Sequence, residues 1–310
     1  MKEILFLEPV FKEMIWGGNR LRTDFHYDIP SDNTGECWAV SAHTNGDCTV
    51  KTGEYKGMTL SSLWAQHREL FGSVPGEVFP LLVKIIDAKQ DLSIQVHPDD
   101  TYAKEYEKGS LGKTECWYIL NCEEDGKIVI GHNAENRDEL TEMIRDNRWE
   151  ELIRVIPIKK GDFFQIEPGT VHAIKAGTVI LETQQNSDIT YRLYDYGRLQ
   201  NGQPRELHID KSIDVITCPQ QLKDTERKKK VFSDGEIEEL VQCDYYTVDR
   251  IKVNGSTSFN QSEPFTILSV IEGEGKIDGK DIKKGDHFIL PFGYGEYSIQ
   301  GTIELITSHI

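Results

Sequence analysis

The chain has 310 residues, 38% of them hydrophobic and 28% charged, the balance of a soluble globular protein long enough for two domains. Its 52 acidic against 35 basic residues give a net charge of −17, a field that repels nucleic acid and anionic membrane surfaces. No window reaches the roughly 20 apolar residues of a membrane helix, and the start, MKEILFLEPVFKEMIWGG, lacks the apolar run of a signal peptide. The six cysteines form no CxxC pair, so a cytoplasmic protein with reduced thiols is expected.

In chain order, the first helical pattern is LSSLWAQHRELFG. Leu60, Leu63, Trp64, His67 and Leu70 share one face, with a serine near the start. SIQVHPDD follows, with Gln95 and His97 two apart. On a strand that spacing points both side chains the same way and Val96 the other. Pro98 and the turn Asp99–Asp100 end this strand, and KTECWYIL begins the next with Glu115 near its start. Asn136 and Glu139 fit a capping box, and Leu140, Met143, Ile144, Leu152 and Ile153 continue at helical spacing. His172 then follows a turn at Pro168–Gly169.

The chain repeats itself. Lys159, Lys160, Gly161, Asp162, Phe164, Gly169, Gly177 and Thr178 recur 124 positions later, and Glu123, Gly126, Lys127 and Ile128 recur 149 positions later. The first copy therefore holds 25 extra residues, which coincide with the helical pattern after Asn136. Short β runs with Gly and Pro punctuation make both copies sandwich- or barrel-like. The expected organisation is a mainly β chain: a first barrel over 1–218 with helical insertions, a polar linker over 219–239 holding the basic run Arg227–Lys230, and a second barrel over 240–310. EGEGKIDGK at 272–280 has closely spaced glycines, but it reads as a β-turn and not as a phosphate-cradling loop.

Gln95, His97, Glu115 and His172 form a candidate metal set: two imidazoles, one carboxylate and one amide oxygen. Such donors suit zinc, and also manganese, iron or cobalt, with an open position for water or substrate. A lone histidine in a strand is more often a core residue than a ligand. The reading rests on the combination, whereas His26, His43, His67, His132 and His208 lack any such spacing.

The run of GD, apolar residues, Pro, Gly and His resembles the second motif of the cupin superfamily, whose β-barrels often hold a metal. The second copy keeps Gly285, Pro291 and Gly293, but has Glu296 at the position of His172 and Pro264 aligned with Glu115. Only the first jelly-roll barrel is then expected to bind metal. PLLVKIIDAKQDLSIQVHPDD, GKTECWYIL, EPGTVHAI, GECWAVSAH and NSDITYRLYDYGR resemble the type I phosphomannose isomerases, best the short bacterial form, over essentially the whole chain.

That resemblance implies reversible conversion of mannose 6-phosphate and fructose 6-phosphate through an enediol, with one zinc ion per chain on Gln95, His97, Glu115 and His172. It implies catalytic roles for Arg192 and Lys113, a hexose 6-phosphate as the small-molecule partner, and no organic cofactor. A lowered Lys113 pKa would suit proton transfer, and Glu36 and Trp38 would line the pocket. Longer members carry histidine before that lysine and proline after it, where this chain has Gly112 and Thr114. The competing readings are an iron-dependent dioxygenase on the same barrel and a non-catalytic sugar-phosphate sensor.

Overall fold

A computed structural model describes residues 3–220 and 227–310. The chain is mainly β, and three larger sheets carry it. A six-stranded sheet runs Phe163–Ile166, Glu115–Asn121, Thr178–Gln185, Leu81–Ala88, Val10–Gly18, Thr34–Val40. A five-stranded sheet runs Ile153–Pro157, Lys127–His132, His172–Ile174, Ile94–Val96, Tyr191–Tyr194. The two pack face to face: Ile86, Trp117, Ile119 and Ile180 of the first share a core cluster with Ile128, Ile130 and Ile174 of the second. Leu81–Ala88 and Thr178–Gln185 are buried at every position, because their other face packs on a second cluster. Their buried positions are not all apolar: Lys84, Glu182, Thr183, Gln184 and Gln185 are enclosed with them.

The third sheet has nine strands and its own core around Ile251, Leu268, Phe288 and Leu305. Its two 15-residue strands, Thr247–Gln261 and Gly295–His309, pair along their whole length. Two expected boundaries shift. The first strand, Leu5–Glu8, pairs with His287–Leu290 and so belongs to the C-terminal sheet. The expected polar linker, 219–239, contains the strand Lys228–Phe232 and most of Gly235–Gln242, paired from Lys228↔Glu239 to Phe232↔Gly235. Residues 221–226 of that stretch lie outside the described residues. The basic run is one side of a charge ladder: Lys228 meets Glu239 at 3.1 Å and Lys229 meets Glu236 at 2.6 Å. Its polarity is that of an edge strand, where lysines discourage pairing with another chain.

The repeat is a structural one. Phe163–Ile166 pairs with Glu115–Asn121 as His287–Leu290 pairs with Thr266–Ile277. Register corrects one detail of the alignment. Glu115 lies opposite Ile166 and Gln184, and the equivalents of those two residues lie opposite Thr266 and Ile267, not Pro264. Neither Thr266 nor Ile267 offers a carboxylate, so the counterpart of Glu115 is still lost. The residues 272–280 run through the end of Thr266–Ile277 into a turn before Lys280–Lys283, as a hairpin requires.

Both helical patterns form helices. Leu60–Gln66 is capped by Thr59, whose side chain accepts from the Ser62 amide, so the cap lies just before the serines. Arg137–Arg145 is capped by Asn136, while Glu139 reaches back to the Glu135 amide, one residue upstream of the usual capping-box partner. The second pattern breaks at Asn147, which has φ 57°; Leu152 ends a short helix and Ile153 starts a strand. All six cysteines are free thiols. No described helix is long and apolar enough to cross a membrane.

Candidate metal centre and active site

Two rows of cross-strand neighbours build the site. On the five-stranded sheet, His172 lies opposite Gln95, and Gln95 opposite Arg192. His97, two residues beyond Gln95, projects from the same side. On the six-stranded sheet, Trp117, Glu182, Lys84 and Trp38 form a row over four strands. Glu115 and Glu36 stand two residues from Trp117 and Trp38 on the same faces. The sheets thus deliver His97, His172 and Glu115 from opposite walls, and the Trp117 indole meets the His172 ring edge-on at 5.4 Å.

Among the described residues, His97, Glu115 and His172 form the one group of three or more His, Cys, Asp or Glu side chains able to hold a metal, with donor atoms within 4.8 Å of one another. All three are essentially fully buried. The Nδ1–H of His97 donates to Ile189 O at 2.7 Å and that of His172 to Thr170 O at 2.8 Å. With Nδ1 protonated in each ring, both Nε2 atoms carry lone pairs, and they face each other at 3.1 Å. Each also lies 3.5 Å from a Glu115 carboxylate oxygen, and Oε1 of that carboxylate has no hydrogen-bond partner. Protonation does not relieve this crowding of lone pairs: burial holds His97 well below the ordinary histidine pKa and pushes His172 down to about 4. Two imidazole lone pairs converging on a buried carboxylate fit a divalent cation.

Gln95 stands beside this set, with its amide nitrogen 3.3 Å from His172 Nε2. The two ends of an amide are isosteric, so rotation about the last side-chain bond presents the oxygen instead.

Lys113 lies 2.7 Å from Glu115 and 3.7 Å from Glu182. Lys84 lies 3.5 Å from Glu182 and 3.9 Å from Glu36. The result is an alternating chain of five charged side chains, Glu36, Lys84, Glu182, Lys113 and Glu115, the last four buried and Glu36 partly so. Burial alone lowers the Lys113 pKa, but Glu115 and Glu182 outweigh it and hold the ammonium above the usual lysine range, opposite to the lowering expected from sequence. Burial alone raises Glu182, but Lys113 and Lys84 hold it low, while burial and Glu182 together raise Glu115. Trp117 Nε1 donates to Glu182 Oε2 at 3.0 Å, and Trp38 Nε1 to Glu36 Oε2 at 2.7 Å.

A cavity of about 90 Å³ opens on this chain of charges, lined among others by Glu36, Lys84, Gln95, Lys113, Glu182 and Arg192. Glu36 therefore lines the pocket as expected, while Trp38 stands behind it as its hydrogen-bond donor. Arg192 donates to Glu206 O at 3.0 Å. Sequence reasoning missed Lys84, Glu182 and Arg205, which also lines the cavity. The first two carried a signal: Lys84 and Glu182 are the only charged residues in the runs LLVKII and TVILET, where each directly follows three apolar residues.

A buried group of two histidines and one carboxylate able to hold a metal, set between packed β-sheets in a chain built on an internal repeat, is the arrangement of a cupin-type protein. Residues 4–121 match the phosphomannose isomerase type I catalytic domain, and residues 236–310 the mannose-6-phosphate isomerase cupin domain. Mannose-6-phosphate isomerase ManA of Bacillus subtilis is 53% identical over 99% of both chains. The mannose-6-phosphate isomerase of Streptococcus mutans is 47% identical over 100% of this chain and 99% of its own. A crystal structure of the Bacillus subtilis mannose 6-phosphate isomerase superposes with a TM-score of 0.98 at 51% identity, covering both chains completely. The chain belongs to the type I phosphomannose isomerases.

Proposed function

We propose that this chain interconverts mannose 6-phosphate and fructose 6-phosphate in the cytoplasm, with one zinc ion on Gln95, His97, Glu115 and His172. The observation that carries the reading is the pair of unprotonated Nε2 atoms facing the buried Glu115, in a chain whose relatives near 50% identity bear that activity's name. A bound zinc supplies Lewis-acid stabilisation of the negative charge that isomerisation builds on the sugar's O1 and O2.

The side chains do the rest. Isomerisation moves one proton between C1 and C2 and another between O1 and O2. Lys113, kept protonated by two carboxylates, holds or donates a proton at oxygen. Glu182, kept ionised by two ammoniums and with Oε1 free of hydrogen bonds, accepts a proton at carbon. Positioned groups of this kind contribute about 10²–10⁴-fold each. Arg192 adds positive charge on the side of Gln95. Trp16, Trp117, Ile86 and Ile174 exclude water from the cavity.

Two imidazoles and a carboxylate also suit an iron-dependent dioxygenase. Family membership and the two lysines in the cavity favour the isomerase. A binding-only sensor would have no use for paired proton donors and acceptors. The test is nuclear magnetic resonance of mannose 6-phosphate with the zinc-loaded chain. Fructose 6-phosphate formation supports the reading. An unchanged substrate with folded, metallated protein contradicts it, as does oxygen consumption.

A further inference from the structure

We propose that Arg205 is the residue that grips the substrate's phosphate group, and that Asp195 is the positioning residue that aims it. The inference deepens the functional reading above and rests on it for the identity of the ligand. It begins with charge. In a chain of net charge −17, Arg198 and Arg205 pair with one carboxylate, Asp195, which is 4% exposed, and Arg192 lies near enough to feel both Asp195 and Arg205. The short hairpin Leu199–Gln200 and Gln203–Pro204 turns the chain back so that Arg205 reaches the cavity that Arg192, Ser93 and Gln95 also line.

The geometry is that of a held fork. Asp195 Oδ2 accepts from Arg205 Nε at 2.7 Å, and Oδ1 accepts from Arg205 Nη2 and from Arg198 Nη2. A guanidinium gripped through Nε and Nη2 keeps Nη1 on its far side, and the planar fork cannot swing away without losing both bonds. Arg198 also donates to Asp91 O, which ties the root of the hairpin to the loop before Ser93 and Gln95. One carboxylate shared by two guanidiniums leaves excess positive charge. Arg192 adds to it, with its Nε buried and without a hydrogen-bond partner among the described residues. The excess charge beside Gln95 matches an anion carried by a ligand whose other end lies at the metal donors. The competing account is that Asp195 and the arginines only fasten the hairpin.

Kinetics with mannose 6-phosphate and with unphosphorylated mannose separate the two. For Arg205→Ala the expected result is a KM for mannose 6-phosphate raised about 10- to 100-fold, the range of a charge-assisted hydrogen-bonded contact, with kcat changed by less than about threefold. Turnover of mannose should fall by a much smaller factor than that of mannose 6-phosphate. Arg205→Lys should recover part of the loss. Asp195→Asn should raise KM in the same direction, and Asp195→Glu should rescue it. An unchanged KM in Arg205→Ala, or an equal loss for both sugars, would overturn the proposal. Calorimetric titration of the zinc-loaded chain with inorganic phosphate reads Arg205 independently of turnover. Weakened phosphate binding in Arg205→Ala supports the assignment even if the wild type fails to isomerise mannose 6-phosphate, an outcome that would sink only the functional reading; equal binding by both proteins contradicts it.

Discussion

Lys84 and Glu182 occupy directly opposed positions on adjacent strands, and their charged groups meet at 3.5 Å in the interior, each side chain about 95% buried. Glu36 and Lys113 extend the pairing at either end. Removing one member of such a set leaves an uncompensated buried charge, a larger cost than the pair's net contribution.

Lys84→Met should therefore lower unfolding stability by about 3–5 kcal/mol, read by urea denaturation. Activity should fall as well, because Glu182 loses one of the two ammoniums that keep it ionised. A stability change near zero would mean that water or rearrangement reaches this chain of charges.

The metal donors make a separate prediction. His97→Ala and His172→Ala should each reduce bound zinc from one per chain toward none, measured by atomic absorption after dialysis. With the metal gone, activity should fall by several orders of magnitude. The Gln95→Ala chain should retain zinc more readily than either, since an amide is the weakest donor of the four.

Gly112 explains a departure from the longer relatives. A Cβ there would lie 2.4 Å from the Asp99 carbonyl carbon and 2.5 Å from the Asp100 nitrogen, while the Gly112 amide donates to Asp100 Oδ1 at 2.7 Å. A histidine does not fit without moving the backbone that carries Lys113. Gly112→Ala should lower kcat by about tenfold or more, because a displacement near 1 Å at a reacting group is costly. Circular dichroism should remain close to wild type.

Far from the site, Asp249 has its carboxyl pushed up to about 6, chiefly by burial, with Glu239 and Glu263 adding to it and His309 and Thr307 opposing. A carboxyl that is harder to ionise folded than unfolded costs stability once the pH exceeds its unfolded value near 3.9, and the cost is complete above about 6. Asp249→Asn should then raise the unfolding free energy at pH 7.5 by on the order of 1 kcal/mol, after allowance for partial exposure. The gain should shrink toward zero as the pH falls to 4. A gain independent of pH would contradict this account.

Much of the site was legible because its elements are local. The period of two set Gln95 and His97 on one face, and the repeat marked His172 as a position that the second copy had changed. The rest depends on which strands become neighbours. Lys84 and Glu182 are 98 positions apart and meet only through register, and Arg205 reaches the cavity through a two-residue hairpin turn. The lowered Lys113 pKa failed because one carboxylate neighbour, Glu115, opens the strand just after it, and the other, Glu182, comes from a strand almost 70 residues further on. The segment 219–239 hid its strands because an edge ladder of lysines and glutamates has the composition of a linker.

The most direct test of the central claim is conversion of mannose 6-phosphate to fructose 6-phosphate by the purified chain, before chelation, after it and after zinc is restored, with His97→Ala in parallel. The account predicts activity that disappears with the metal, returns with zinc in the wild type and does not return in His97→Ala. Full activity in chelated, verified metal-free protein would contradict it.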